Sequence, residues 1–281
     1  MCQLLGMNAN TPTDVVFSFT GLAARADEHK DGFGIAFFED RGLRHFIDRD
    51  GARNSPVAQM VRQFPIRSEV VIAHIRKATV GAVALQNCHP FVRELWGRSW
   101  VFAHNGDLKV GAGGFQPRLH GAFRPVGDTD SELAFCWLMQ ELAKAHASVP
   151  GIDELTNTLR ELLPQPAAHG SFNVLLSNGQ ALWAHGSTRL YSVERQHPFT
   201  AATLADEDLS VNFADHTTPS DRVAVVATEP LTANETWLPF APGELRVFRE
   251  GRQLHPHLHP HPHPPGAGAG AGAGPAGHPP P

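Results

Sequence analysis

Cysteine is scarce in this chain. Three occur in 281 residues, Cys2, Cys88 and Cys136, and none forms a Cys-x-x-Cys pair. That rules out a disulfide framework and a cysteine-based zinc set. Basic residues are also few: 23 Lys and Arg stand against 28 Asp and Glu, a net charge of -5. Such a balance leaves no positive footprint for nucleic acid. No apolar run approaches the about 20 residues needed to span a bilayer. The start of the chain lacks the basic-then-apolar pattern of a secretion signal. A lipoprotein also begins at a cysteine, but only behind a cleaved signal peptide, and none precedes this one. These absences point to a soluble cytoplasmic protein whose partner is a small molecule, neither a membrane nor a nucleic acid.

What is present supports a sizeable core. The apolar share is 42%, enough for one large domain over residues 2–254 on the usual size relation. From His255 the composition changes to HPHLHPHPHPPGAGAGAGAGPAGHPPP. That tail, 255–281, has too few large apolar side chains to offset the entropy of ordering, and it is expected to be disordered. Its proline-rich part favours polyproline II.

Within residues 2–254 strands and helices alternate. Phe33 to Phe38 reads as a short apolar strand, with Leu43 to Ile47 as its hairpin partner across Asp40-Arg41-Gly42. Val70 to Ala73 and Trp100 to Ala103 read as buried strands. Ser55-Pro56 opens a helix that ends before Pro65. The strongest helix runs from Thr129 to about His146, with Leu133, Trp137, Leu138 and Leu142 on one face. Thr129 and Glu132 fit a capping box at its start. A further helix spans Ile152 to Leu163. Phe172 to Leu176 and Ala181 to Ala184 flank Ser177-Asn178-Gly179-Gln180, a hairpin signal. Leu190 to Val193, Val223 to Ala227 and Leu245 to Phe248 complete the strands. The order implies stacked antiparallel sheets covered by helices.

Chemistry is suggested by Cys2, which follows only the initiator methionine. Removal of Met1 leaves an amine and a thiol on one residue. Their ordinary pKa values are about 8 and about 8.5, so the amine can take the proton of the thiol. That is the N-terminal form of a nucleophile and its base. Four other segments stand out: His74-Ile75-Arg76-Lys77-Ala78-Thr79, Asn87-Cys88-His89-Pro90-Phe91, His104-Asn105-Gly106-Asp107 and Asp128-Thr129-Asp130-Ser131-Glu132. Singly, each has an ordinary explanation: a surface arginine, a rigid turn, an Asn-Gly turn and a charge for the helix dipole. Glutamine would use most of the set at once. Its carboxylate suits a bidentate arginine and its ammonium a carboxylate. Its amide suits the thiol, and an oxyanion suits an asparagine amide beside a glycine N–H.

With those residues in place, the chain resembles the class II glutamine amidotransferases of the N-terminal-nucleophile hydrolase superfamily. Cys2, the Arg76-x-x-Thr79 segment, His104-Asn105-Gly106 and Thr129-Asp130-Ser131-Glu132 occur in the family's order. The nearer likeness is to the YafJ-like branch, on Cys2-Gln3-Leu4-Leu5-Gly6-Met7, Arg93-Glu94-Leu95-Trp96-Gly97-Arg98 and Phe135-Cys136-Trp137-Leu138. The resemblance covers about residues 2 to 254. It implies an α+β fold, the four-layer αββα sandwich, and an amidohydrolase with no metal and no organic cofactor. Residue by residue it makes Cys2 the nucleophile and its amine the base, with Asn105 and Gly106 as the oxyanion hole. Arg76 would hold the α-carboxylate and Asp130 the α-ammonium, with Thr79 and His89 lining the pocket. Lys77 and Val80 depart from the family's usual tryptophan and histidine. That departure bears on how the pocket closes, not on the hydrolytic residues.

The resemblance leaves the reaction's second half open. A stand-alone hydrolase of a γ-glutamyl amide and a glutaminase component serving a separate synthase both fit. An alternative of another class is a non-catalytic or regulatory protein that binds metal through the histidine-rich tail, since imidazole suits zinc, nickel and copper.

Overall fold

The computed structural model describes residues 2–25, 31–63, 66–77 and 81–255. The expected disorder of the tail beyond His255 therefore lies outside the described residues, as does Thr79.

The chain begins with β1 (Gln3–Asp14) and α1 (Val16–Ala24), followed by the hairpin β2 (Phe33–Glu39) and β3 (Gly42–Asp48). Next come α2 (Pro56–Gln63), β4 (Arg67–Ile75), β5 (Phe91–Leu95) and β6 (Arg98–Leu108). Three helices follow: α3 (Asp130–Ala145), α4 (Ile152–Leu162) and the single turn α5 (Pro164–Ala167). The second half adds β7 (Gly170–Ser177), β8 (Leu182–Gly186), β9 (Tyr191–Gln196), β10 (Ala201–Thr203) and β11 (Ser210–Asn212). It closes with β12 (Arg222–Ala227), β13 (Leu238–Pro239), β14 (Glu244–Arg249) and β15 (Arg252–Leu254).

These strands form two large antiparallel sheets. One has the order β13-β9-β12-β1-β4-β2-β3 and the other β15-β14-β8-β7-β6-β5, with β10-β11 as a separate pair. Successive side chains on a strand face opposite sides, and here both sides are apolar. On β1, Leu4 joins the core between the sheets, while Leu5 and Met7 join the core under α1 and α2. On β6, Val101 and Ala103 point between the sheets, whereas Trp100 and Phe102 pack under α3 and α4. Burial on both faces explains why β4, β6 and β12 read as continuous apolar runs and not as alternating ones. Three stacked cores between four layers make the αββα sandwich.

Both expected hairpins form, with Phe33 opposite Asp48 and Ser177 opposite Leu182. The N-terminus of α3 departs from a full capping box. Thr129 Oγ1 accepts from the Glu132 N–H at 3.2 Å. The Glu132 carboxylate does not reach back to Thr129. It accepts from the Gly127 N–H at 2.7 Å and pairs with Arg93, whose charge a nearly fully buried carboxylate needs more than a second cap bond. No helix among the described residues is long and apolar enough to cross a membrane.

Candidate active site

Strand parity assembles the site. Cys2 has the parity of Leu4, and Asn105 that of Val101 and Ala103, so both face the layer between the sheets. They lie at the same end of it. Gln3 pairs with Ile75 and Leu5 with Ala227. The start of β1 therefore lies between the end of β4, where Arg76 follows, and the end of β12, where Thr228 follows. Residues 75 and 103 positions along the chain from Cys2 thus come into contact with it.

Cys2 is partly buried, and its Sγ lies 3.2 Å from the Lys77 N–H. Burial pushes the thiol above its ordinary pKa, while the Lys77 N–H and the positive charge of Arg76 act to lower it. Burial prevails, so the thiol keeps its proton near neutrality and a base is needed to take it.

Asn105 is almost fully buried. Its Nδ2 donates to the Cys2 carbonyl at 2.5 Å and to Thr228 Oγ1 at 3.1 Å. Thr228 Oγ1 also accepts from the Leu4 N–H at 2.9 Å. Two acceptors orient the amide with its donor side toward Cys2. Its Oδ1 is buried with no hydrogen-bond partner among the described residues. An unmet buried acceptor costs about 1–3 kcal/mol, and such costs collect at functional sites. Behind it Asn173 Nδ2 donates to the Asn105 carbonyl at 3.0 Å, and Asn173 Oδ1 accepts from the Ser187 and Thr188 N–H groups, both at 3.0 Å.

Gly106 must be glycine for a packing reason. A Cβ there would sit 1.9 Å from the Ser171 carbonyl oxygen and 2.6 Å from His104 Nε2. That imidazole lies 3.1 Å from the Ser171 carbonyl, with its Nδ1 2.8 Å from Ser131 Oγ. Burial lowers the His104 pKa, and nearby Asp130 opposes that shift.

Arg76 is buried, and its Nη1 donates to the Ala82 carbonyl at 3.0 Å and its Nη2 to the Gly81 carbonyl at 3.3 Å. Asp130 opens α3, and its Oδ2 accepts from the Leu108 N–H at 2.7 Å, at the end of β6. His89 packs against two aromatic rings. Its ring centroid is 4.3 Å from that of His74 and 4.4 Å from that of Phe91. Burial holds it neutral, well below the ordinary imidazole range, and the fields of His74, His104 and Arg76 push the same way.

Sequence reasoning singled out Cys2, Arg76, His89, Asn105, Gly106 and Asp130, and the fold gathers them at one end of the sandwich. It overlooked Thr228 and Asn173. Asn173 did carry a signal, a polar residue inside the apolar run Phe172–Leu176, since a buried polar group is the informative exception. Cys88 sits near Arg76, and burial raises its thiol pKa to about 11. Among the described residues no group of three His, Cys, Asp or Glu could hold a metal ion.

Comparisons with known proteins bear on the fold and the family. The glutamine phosphoribosylpyrophosphate amidotransferase of B. subtilis superimposes with a TM-score of 0.59 at 15% identity, over 90% of this chain and 48% of that one. At that identity the likeness speaks for the fold alone. A predicted glutamine amidotransferase from Pseudomonas aeruginosa PA01 superimposes with a TM-score of 0.72 at 41% identity, over 90% of this chain and all of that one. YafJ of Escherichia coli (strain K12), which carries a provisional glutamine amidotransferase name, is 48% identical over 258 residues, 90% of this chain and 100% of its own. The family model for class II glutamine amidotransferases matches residues 1–266. The chain belongs to that family.

Proposed function

We propose that this protein hydrolyses a γ-glutamyl amide through a thioester on Cys2. The observation that carries the reading is the contact between the sheets: the Asn105 amide presents its donor side to Cys2, 2.5 Å from the residue's own carbonyl. A donor fixed beside a nucleophile stabilises a developing oxyanion.

The freed amine of Cys2 takes the thiol proton, and the thiolate attacks the γ-carbonyl carbon. Asn105 Nδ2 and the Gly106 N–H stabilise the oxyanion. The tetrahedral adduct collapses, and the amine returns the proton to the departing ammonia or alkylamine. Water, deprotonated by the same amine, cleaves the thioester, releasing glutamate and the thiol. Arg76 holds the α-carboxylate and Asp130 the α-ammonium, while neutral His89 lines the pocket.

Arg76→Ala and Asp130→Ala are expected to weaken trapping of Cys2 by an electrophilic glutamine analogue, such as a diazoketone, while sparing reaction with a small neutral alkylating agent. Losing one charged contact costs about 1.5–3 kcal/mol, or roughly ten- to a hundredfold in affinity. Equal trapping in wild type and both variants would remove these two residues from the site.

The clamp reads the glutamyl half and leaves the departing amine unchosen. The stand-alone reading is therefore tested with a panel of γ-glutamyl amides, following glutamate release with no partner added. One of them is expected to turn over far faster than glutamine. Uniformly slow turnover, together with recovery from native cells bound to a synthase, would favour the component reading.

A further inference from the structure

Asn87 has no exposed surface, and every polar atom of its side chain is engaged. Nδ2 donates to the Ala82 carbonyl at 3.0 Å and to the Asp128 carboxylate at 2.6 Å, and Oδ1 accepts from the Asp128 N–H at 3.1 Å. Turning the amide over would set oxygen against oxygen and N–H against N–H, so this orientation is fixed. Two glycines give the pair room. A Cβ at Gly127 would lie 2.0 Å from Asn87 Oδ1, and one at Gly81 would lie 2.7 Å from Asp128 Oδ1, at a φ of +75°.

The groups this asparagine joins are informative. The Ala82 carbonyl that accepts from Asn87 also accepts from Arg76 Nη1, at 3.0 Å. On the other side Asp128 precedes the cap Thr129, and Asp130 opens α3. A hydrogen-bonded chain thus runs from the Arg76 guanidinium through Ala82, Asn87 and Asp128 to the helix turn bearing Asp130. An α-carboxylate and an α-ammonium share one carbon, so their two receptors must keep a set separation. We infer that Asn87 is a positioning residue that fixes the spacing of Arg76 and Asp130, and through it selectivity for the amino-acid end of the substrate. The inference rests on the clamp described under the proposed function.

The test compares L-glutamine with two truncated amides: glutaramate, which lacks the α-ammonium, and 4-aminobutanamide, which lacks the α-carboxylate. Wild type should prefer glutamine over both. Misplacing a positioned group by about 1 Å can cost on the order of a hundredfold. Asn87→Ala should therefore raise the KM for glutamine roughly tenfold or more with kcat little changed, and the preference over both truncated amides should shrink by a similar factor. Adding Arg76→Ala to Asn87→Ala should cost less than the sum of the separate losses. Should Asn87→Ala not fold, Asp128→Ala cuts the same link from the other side and is held to the same outcome. A wild type with no preference for glutamine would sink the clamp, and the role of Asn87 with it. A wild type that prefers glutamine, with folded variants keeping that preference, would leave the clamp standing and overturn the inference.

Discussion

Cys2→Ala is expected to abolish glutamate release from every γ-glutamyl amide while leaving the fold intact. Cys2 precedes β1 and is only partly buried. Truncating it opens no core cavity, and an unchanged unfolding midpoint should accompany the loss. The same result is expected from a protein with an uncleavable residue ahead of Cys2. There the thiol remains but the amine has become an amide nitrogen that cannot accept a proton. The need for that base follows from the thiol itself, which burial keeps protonated near neutrality against the opposing pull of the Lys77 N–H and Arg76. Acid should also switch the enzyme off, because protonating the amine removes the base before any change at the thiol. Intact mass should show Met1 absent from the active protein. Full turnover by a chain that retains Met1 would end the mechanism, and an active Cys2→Ala variant would move the nucleophile elsewhere.

Much of the sandwich was legible because local signals and tertiary burial agreed. The helix α3 carries its apolar face and its Thr129 cap in one stretch, and the β7–β8 turn declares itself through Asn178-Gly179. β1 was not legible as a strand. Its outer half, Asn10 to Asp14, is polar and contains Pro12, and it extends because β4 pairs with it at Thr13–Ser68 and Asp14–Arg67 while side chains of β1 hold neighbouring backbone on both sheets. Asn10 Oδ1 accepts from the Arg222 N–H at 2.7 Å, and Asn8 Oδ1 from the Gly251 N–H at 2.9 Å. α1 was missed for a different reason. It has no side-chain cap from the residue before it, and the Val16 N–H is met instead by Asp14 Oδ1 at 2.7 Å.

The candidate site divides along the same line. Cys2, Arg76, Asn105, Gly106 and Asp130 announce themselves by residue type, because a thiol at position 2 and an Asn-Gly at a strand end carry chemistry in short segments. The residues that hold them are anonymous in the sequence. Thr228 follows the apolar run Val223–Ala227 and belongs to no motif, and only the pairing of Leu5 with Ala227 brings its hydroxyl to Asn105. Asn87 lies beside the more conspicuous His89-Pro90 and shows its use only when the loops at 82 and 128 meet. Supporting contacts of this kind are tertiary, so neither spacing nor propensity encodes them.

Asn105→Ala is expected to lower kcat by about a hundredfold or more with little change in KM. In the resting protein the two amide hydrogens rest on the Cys2 carbonyl and on Thr228 Oγ1. The hydrogen toward Thr228 keeps the amide from turning over. The hydrogen toward Cys2 lies on that residue's own carbonyl, and in the proposed mechanism it passes to the substrate oxyanion. A donor fixed in this way interacts more strongly with an oxyanion than with a neutral carbonyl, so its loss falls on the chemical step and leaves binding largely untouched. A structural cost also arises, since two buried hydrogen bonds disappear. A thermal unfolding measurement separates it from the catalytic one, because a folded variant with a lowered midpoint still reports its own kcat. Asn105→Asp should be worse than alanine, as a carboxylate there would repel both the Cys2 carbonyl and the oxyanion. A large rise in KM with kcat unchanged would reassign Asn105 to substrate binding and leave the oxyanion to other donors.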